Sequence, residues 1–276
     1  MYYILYNPKS NTGKTAKKIL KFNKSLLKKG YETTLINLLE DNDYESLAKK
    51  VSQDDIFVIA GGDGTLHHII NNAIFQNLNN EIYMYRCGRG NDFAREFKGK
   101  LFNVTKYVKN LPYAYINGKK QYFTNGLGIG IDALTCQKQL ENMQAGKKES
   151  YFKIAFKAFF HFKPYDLKVM VDDKEYTFHK VWFFVVQNGK YFGGGMKVSP
   201  KSLRVDDKLE LVVIHSVGFK RLLLIFPLIF IGKHTLAKKY VNFITGKNFK
   251  VLATYNLLQI DGEVEKEVES LEVKRF

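Results

Sequence analysis

Between Asp54 and Asn71 the chain reads DDIFVIAGGDGTLHHIIN, and these residues have the types and spacing to hold phosphate. Gly61, Gly62 and Gly64 separate a continuous apolar run, Ile56 to Ala60, from Leu66, Ile69, Ile70, Ala73 and Ile74 at helical spacing. Consecutive glycines let the backbone take positive φ and approach a ligand, and a helix start offers unpaired N–H groups to an anion. Thr65 adds a hydroxyl. Asp63 is of another kind: a carboxylate inside a phosphate loop repels its ligand unless it meets a metal, a water or a ribose hydroxyl. The same Gly-Gly-x-Gly turn also serves as an ordinary strand-to-helix connection, so other segments must decide.

Two do. NPKSNTGKT, Asn7 to Thr15, follows a first apolar strand and precedes a helical pattern, which makes it a second candidate phosphate loop. It is not a Walker A loop, because Pro8 stands where that motif needs a glycine five residues before Gly13. CGRGNDFAR, Cys87 to Arg95, offers a third glycine turn after a short strand, with Asn91 and Asp92 behind it. Gly126, Gly128 and Gly130 give GxGxG rather than the dinucleotide fingerprint, and they precede a strand-rich half. In an open α/β sheet the loops beyond the carboxyl ends of the strands line one crevice, so three such loops can surround one nucleotide.

The elements that must position these loops alternate strand and helix through IYMYRC, which argues for a parallel sheet covered by helices. From Gln121 onward the runs are strand-like with turns between them, as in LKVMVDD and DKLELVVIHS, and this half reads as mostly antiparallel β. The periodicity changes within Asn110 to Lys120, so residues 1–115 are expected as one domain and 116–276 as another. A cleft between two such domains is a usual ligand site. Cys87 and Cys136 have no paired or metal-ligand spacing, and the amino terminus lacks a signal pattern, so a reducing cytoplasm fits. The longest apolar stretch, Leu222 to Ile231, is about half of a bilayer span and is interrupted by Pro227. Its flanks, Lys220, Arg221, Lys233, His234, Lys238 and Lys239, suit an anionic lipid surface, although a core helix with solvated basic ends reads the same way. A net charge of +16 points to anionic partners, and without zinc-finger, RNP-type or Arg-rich segments nucleic acid is not expected.

Together these residues resemble the diacylglycerol kinase catalytic-domain family, with its bacterial soluble members and the sphingosine and ceramide kinases. NPKSNTGK, GGDGTLHHIIN and GRGNDFAR are similar to its three loops, and NGLGIGIDA, NGKYFGGGMKVSP, SLRVDDKLEL and the IDGE at Ile260 to Glu263 follow in order. GGDGT alone is shared with NAD kinases and phosphofructokinases. The resemblance implies an NAD kinase/diacylglycerol kinase-like α/β domain that binds ATP, a β-rich domain for the lipid, and phosphoryl transfer to a lipid hydroxyl, most simply diacylglycerol. It implies nucleotide contacts from Asn7, Pro8, Ser10, Asn11, Gly61, Gly62, Asp63, Gly64, Thr65, Gly88, Arg89 and Asn91. Glu263 matches the general base, and Asp261, Asp63 and Asp92 resemble the carboxylate and water network that positions catalytic Mg²⁺. Asp206, with backbone carbonyls at Leu203 and Lys208, matches a structural Mg²⁺ site. For Asp261 and Gly262 the plain alternative is a β-turn.

The chain departs from the pattern at several positions. Asn11 replaces a glycine, Arg89 replaces a small hydroxyl residue, His67 and His68 replace Asn and Glu and read as a local polar surface, and Asp207 replaces a glycine. Arg89 can pair with a nucleotide phosphate or block the pocket. The expected partner is a lipid at the inner face of the membrane, reached by peripheral association, with a homodimer left open. Two other readings stand beside this one: an NAD kinase-like phosphotransferase with a soluble acceptor, and a non-catalytic nucleotide or lipid sensor.

Overall fold

The computed structural model describes residues 1–276 except 11–13, 41–43, 73, 74, 76, 89, 148, 150, 253, 254 and 276, and except the side chains of 14, 151, 152 and 255. The chain divides into two units, Met1–Asn110 and Leu111–Phe276.

The first unit runs β1 (Tyr2–Tyr6), α1 (Lys14–Leu27), β2 (Thr33–Asn37), α2 (Tyr44–Lys50), β3 (Ile56–Gly61), α3 (Asp63–Ile70), β4 (Glu81–Arg86), β5 (Leu101–Asn103) and α4 (Thr105–Val108). The sheet order is β2-β1-β3-β4-β5, parallel except for β5, which is antiparallel to β4. Ile4, Leu5, Phe57, Val58, Ile59 and Ala60 are all buried, because central parallel strands are covered on both faces. On one face Ile4, Val58 and Ala60 pack with Ile19 and Leu26 of α1. The chain leaves β1 toward β2 on one side and β3 toward β4 on the other. Such a reversal opens a crevice at the carboxyl ends of β1 and β3.

The second unit runs β6 (Tyr113–Ile116), β7 (Lys119–Tyr122), β8 (Gly126–Gly130), α5 (Ile131–Gln144), α6 (Tyr151–His161), β9 (Tyr165–Val171), β10 (Lys174–Val181), β11 (Phe183–Gln187) and β12 (Leu209–Ile214). It continues through α7 (Phe219–Phe230), β13 (Val241–Gly246), β14 (Asn248–Val251), β15 (Tyr255–Ile260), β16 (Glu263–Val268) and β17 (Leu271–Lys274). Its two antiparallel sheets have the orders β10-β9-β14-β17-β6-β7 and β13-β12-β11-β8-β15-β16. Leu127, Phe184 and Leu258 from one sheet meet Leu167, Phe249 and Val273 from the other in a sandwich core. The alternate residues of β11, Phe183 and Val185, point the other way and pack with Phe159 of α6 and Phe226 of α7. Burial on both faces is why FFVVQ is almost wholly apolar.

The strand β6 pairs with β17, Tyr113 opposite Lys274, and the division between Asn110 and Leu111 lies at the start of the stretch, Asn110 to Lys120, where the periodicity changes. Two details differ from the sequence reading. Between β8 and β9 lie two helices, in a stretch where the sequence reading named no element. In α6 the buried Ile154, Ala155, Ala158 and Phe159 recur at helical spacing, a signal hidden by the strand-favouring aromatics around them. Pro227 does not interrupt its segment, since α7 continues through it. In that helix Leu222, Ile225, Phe226 and Ile229 are buried, as in a core helix, while Leu224 is 73% exposed. Among the described residues no helix is long and apolar enough to cross a membrane.

Candidate active site

The three glycine loops follow β1, β3 and β4, which are neighbours in the sheet and end level with one another, Tyr6 opposite Ala60 and Gly61 opposite Arg86. Main-chain bonds tie them together. The Gly61 carbonyl accepts the N–H groups of Cys87 and Gly88 at 3.1 and 3.0 Å, and the Asp63 N–H donates to the Gly90 carbonyl at 3.1 Å. The buried Thr15 hydroxyl donates to the Cys87 carbonyl at 3.4 Å, linking the start of α1 to the third loop.

None of Gly61, Gly62, Gly64 and Gly88 has positive φ, so the expected conformational reason for these glycines is not the one at work. The reason is close approach. A Cβ on Gly62 would stand 2.3 Å from the Gly90 carbonyl oxygen, and one on Gly88 would stand 2.4 Å from the Gly62 backbone. Gly64 is different: a Cβ there meets nothing within 4 Å. The first turn of α3 therefore faces open space with N–H groups that have no acceptor within a helix, an arrangement that suits a phosphate.

Asp63 is buried, and its carboxylate accepts the N–H groups of Asp92 at 2.8 Å and Phe93 at 3.1 Å, one on each oxygen. It braces the third loop. Asp92, also buried, pairs with Arg95 at 3.2 Å, and the Asn91 side chain donates to the Gly88 carbonyl at 2.9 Å. In the first loop the Asn7 side chain accepts the Lys9 N–H at 2.9 Å and the Asn7 carbonyl accepts the Ser10 N–H at 3.1 Å, closing a turn around Pro8. Asn11 and Arg89 lie outside the described residues. His67 is not part of a polar surface: it is buried, and only His68 is exposed.

In the second unit, Asp261 and Gly262 form the two-residue turn between β15 and β16, with φ of 49° and 94°. Positive φ at both positions is what a tight type I′ hairpin demands, and Asp-Gly suits it. The turn is more than a plain one. Asp261 accepts the Thr124 N–H at 2.6 Å, the Thr124 hydroxyl at 2.9 Å, the Asn125 N–H at 2.8 Å and the Gly126 N–H at 3.1 Å. A carboxylate has about four lone-pair sites, and these four donors fill them. Asp261 is thus a brace for residues 124–126. Glu263, the next residue but one, is exposed, and its side chain makes no hydrogen bond or ion pair with the described residues.

The expected magnesium site at Leu203, Asp206 and Lys208 lies in a loop gripped by a buried arginine. The Leu203 carbonyl accepts the Asp206 N–H at 3.0 Å. The carbonyls of Arg204 and Asp206 accept the buried Arg275 guanidinium at 2.9 and 3.0 Å. Burial lowers the Arg275 pKa, the charges of Asp206 and Asp207 oppose the shift, and an arginine stays protonated regardless. Asp207 pairs with Lys247 at 2.6 Å. Among the described residues no group of three or more His, Cys, Asp or Glu side chains could hold a metal.

Asp132 carried no role in the sequence reading. It is 2% exposed and lines a small apolar cavity with Phe159, Trp182, Met196 and Phe226. One oxygen accepts the Gln259 amide at 3.2 Å, the other has no partner, and burial pushes the carboxyl up to about 7. The only hint in the sequence is Gly128, whose missing Cβ would stand 2.2 Å from the Asp132 carboxylate.

The comparisons with known proteins align with this geometry. Residues 1–117 match the family described as diacylglycerol kinase catalytic domain, and residues 126–273 match the YegS C-terminal NAD kinase beta sandwich-like domain. The chain belongs to the diacylglycerol kinase family. Among curated members of related sequence, "Putative lipid kinase YtlR" of Bacillus subtilis is 25% identical over 85% of this chain and 84% of its own length. The Bacillus subtilis "Diacylglycerol kinase" is 22% identical over 94% and 88% respectively. The fold is shared with a solved structure titled as a "putative diacylglycerol kinase" from Bacillus anthracis, which superposes over 99% of this chain and 91% of that one, with a TM-score of 0.70 at 20% identity. Membership makes the chain a transferase of the lipid kinase class, and a kinase family uses ATP.

Proposed function

We propose that the chain transfers the γ-phosphoryl group of ATP to the primary hydroxyl of diacylglycerol, giving phosphatidic acid and ADP, in the cytoplasm at an anionic membrane surface. The observation that carries this is Glu263, an exposed and unpaired carboxylate at the foot of a braced turn. As the lipid oxygen bonds to the γ-phosphorus and the bond to the ADP oxygen breaks, the hydroxyl proton passes to Glu263. The α3 start with Gly64 and Thr65, and the loops of Asn7, Pro8, Ser10, Gly61, Gly62, Gly88 and Asn91, receive the nucleotide phosphates. A magnesium ion bound with ATP would supply neutralisation of phosphate charge, and Asp63 and Asp92, beside the third loop, would hold it through its waters. Purified protein is given labelled ATP and diacylglycerol vesicles beside Glu263→Gln. The variant is expected to lose about 10²- to 10⁴-fold in kcat while ATP binding persists. Equal rates would remove Glu263 as the base, and labelled NAD instead of labelled lipid would overturn the acceptor.

Access to lipid is supported by the exterior of α6 and α7. Phe156, Phe160, Leu224, Ile231 and Leu236 are exposed among the exposed Lys153, Lys220, Lys233, Lys238 and Lys239, and Phe160 packs 5.1 Å from Phe219. Apolar tips with a cationic rim suit an anionic bilayer. His234 does not join this rim, because it is fully buried with its ring 2.9 Å from the Val198 carbonyl and its pKa lowered by burial. Leu224→Glu with Leu236→Glu is expected to weaken sedimentation with phosphatidylglycerol vesicles about tenfold while leaving turnover of a water-soluble short-chain diacylglycerol unchanged. Undiminished sedimentation would exclude this face.

A further inference from the structure

We propose that Arg204 and Arg275 are positioning residues for the Asp261–Glu263 turn, their buried guanidinium groups doing in the 203–208 loop what a divalent cation would otherwise do. Arg275 spans three acceptors: the Arg204 carbonyl, the Asp206 carbonyl, and the Asn188 side-chain oxygen at 3.1 Å. Asn188 relays this grip, donating its side chain to the Thr124 carbonyl at 2.9 Å and its N–H to the Asn125 carbonyl at 2.8 Å. Arg204 reaches the same segment directly, bonding the Thr124 carbonyl and, at 2.7 Å, the Asn125 side-chain oxygen. Thr124, Asn125 and Gly126 are the donors that clamp Asp261. An unbroken set of bonds therefore runs from the last described residue of the chain to the turn that presents Glu263.

The charges argue for protein cations over a metal here. Arg204 and Arg275 are each 5% exposed, and a buried guanidinium needs acceptors in its plane, which these carbonyls provide. A divalent ion on the Asp206 carboxylate would be repelled by the buried Arg275 charge, which the Asp206 carboxylate already faces and which binds the Asp206 carbonyl. The arrangement predicts that the turn is held equally well with and without magnesium. Only the role given to Glu263 rests on the proposed function; the bond network does not.

Hydrogen exchange read by mass spectrometry on the full chain tests this. In the wild type, exchange at 124–126, 203–208 and 261–263 is expected to be equal in EDTA and in magnesium chloride. Arg275→Gln is expected to speed exchange at those segments about tenfold while β11 and β12 keep their protection, and Arg275→Lys to restore part of the loss. Asn188→Ala, which cuts the relay and leaves Arg275 on its carbonyls, is expected to loosen 124–126 and 261–263 alone. In turnover, both variants should lower kcat with KM for ATP unchanged. Magnesium protection of 203–208 in the wild type would overturn the proposal. So would uniform loosening of the whole second unit in Arg275→Gln, or unchanged exchange at 124–126 in Asn188→Ala. Absence of lipid phosphorylation in the wild type would sink the proposed function and leave the exchange result standing.

Discussion

The two units brace their candidate catalytic groups by opposite means. In the first, the loops are joined mainly by backbone touching backbone, with Gly62 close enough to Gly88 and to the Gly90 carbonyl to exclude a side chain on Gly62 or Gly88. In the second, the Asp261 turn is held by side chains: one carboxylate with four donors and two buried guanidiniums behind it. Backbone contacts depend on shape, so the first region should tolerate changes of charge and fail with added volume. The second should behave in the reverse way.

Substitutions can break or sharpen that contrast. Gly62→Ala forces a Cβ into a carbonyl oxygen and is expected to cost about 3 kcal/mol or more, measured by denaturant unfolding of the first unit's signal. A cost below about 1 kcal/mol would mean that the loops are not packed as described. Asp132→Asn tests charge in the second unit. Its carboxyl stays protonated in the fold up to about 7 but ionises near 3.8 in the unfolded chain, so the wild type loses stability as pH rises through that window. The variant should lack this slope, a difference on the order of 4 kcal/mol above pH 7, and a parallel pH profile would contradict it. Asp261→Asn keeps the shape but replaces two acceptor sites by donors facing donors, and about 2 kcal/mol of stability should be lost, read as a lower Tm. Gly64→Ala has open space and should change stability by less than about 0.5 kcal/mol, while lowering ATP affinity in calorimetry if phosphate occupies that space.

Much of the first region was legible because its signals are local. GGDGT and GRGNDFAR carry their own strand and helix context, and Asp63, Asp92 and Asn91 stand within them. What those residues touch was not legible, since the Asp63 partners lie 29 and 30 residues away and nothing near Gly62 says that Gly90 fills its missing side chain. The second region was legible only at the Asp-Gly turn. Its clamp joins Asp261 to residues 135 to 137 positions earlier, and Arg275 joins Asp206 across 69. Lone basic residues in a lysine-rich chain look like solvated surface, and only burial reveals Arg204 and Arg275 as anything else.

Gly62 and Gly88 occupy the places where each other's side chains would grow, and the Gly90 carbonyl fills the rest of the space beside Gly62. Neither Gly62 nor Gly88 can be exchanged singly for a larger residue, whatever the substitution does to the ligand. Sequence change in the second and third loops is therefore joint rather than separable. A lineage that alters one must alter the other in step, and recombining such loops between distant members should fail more often than recombining either with the first.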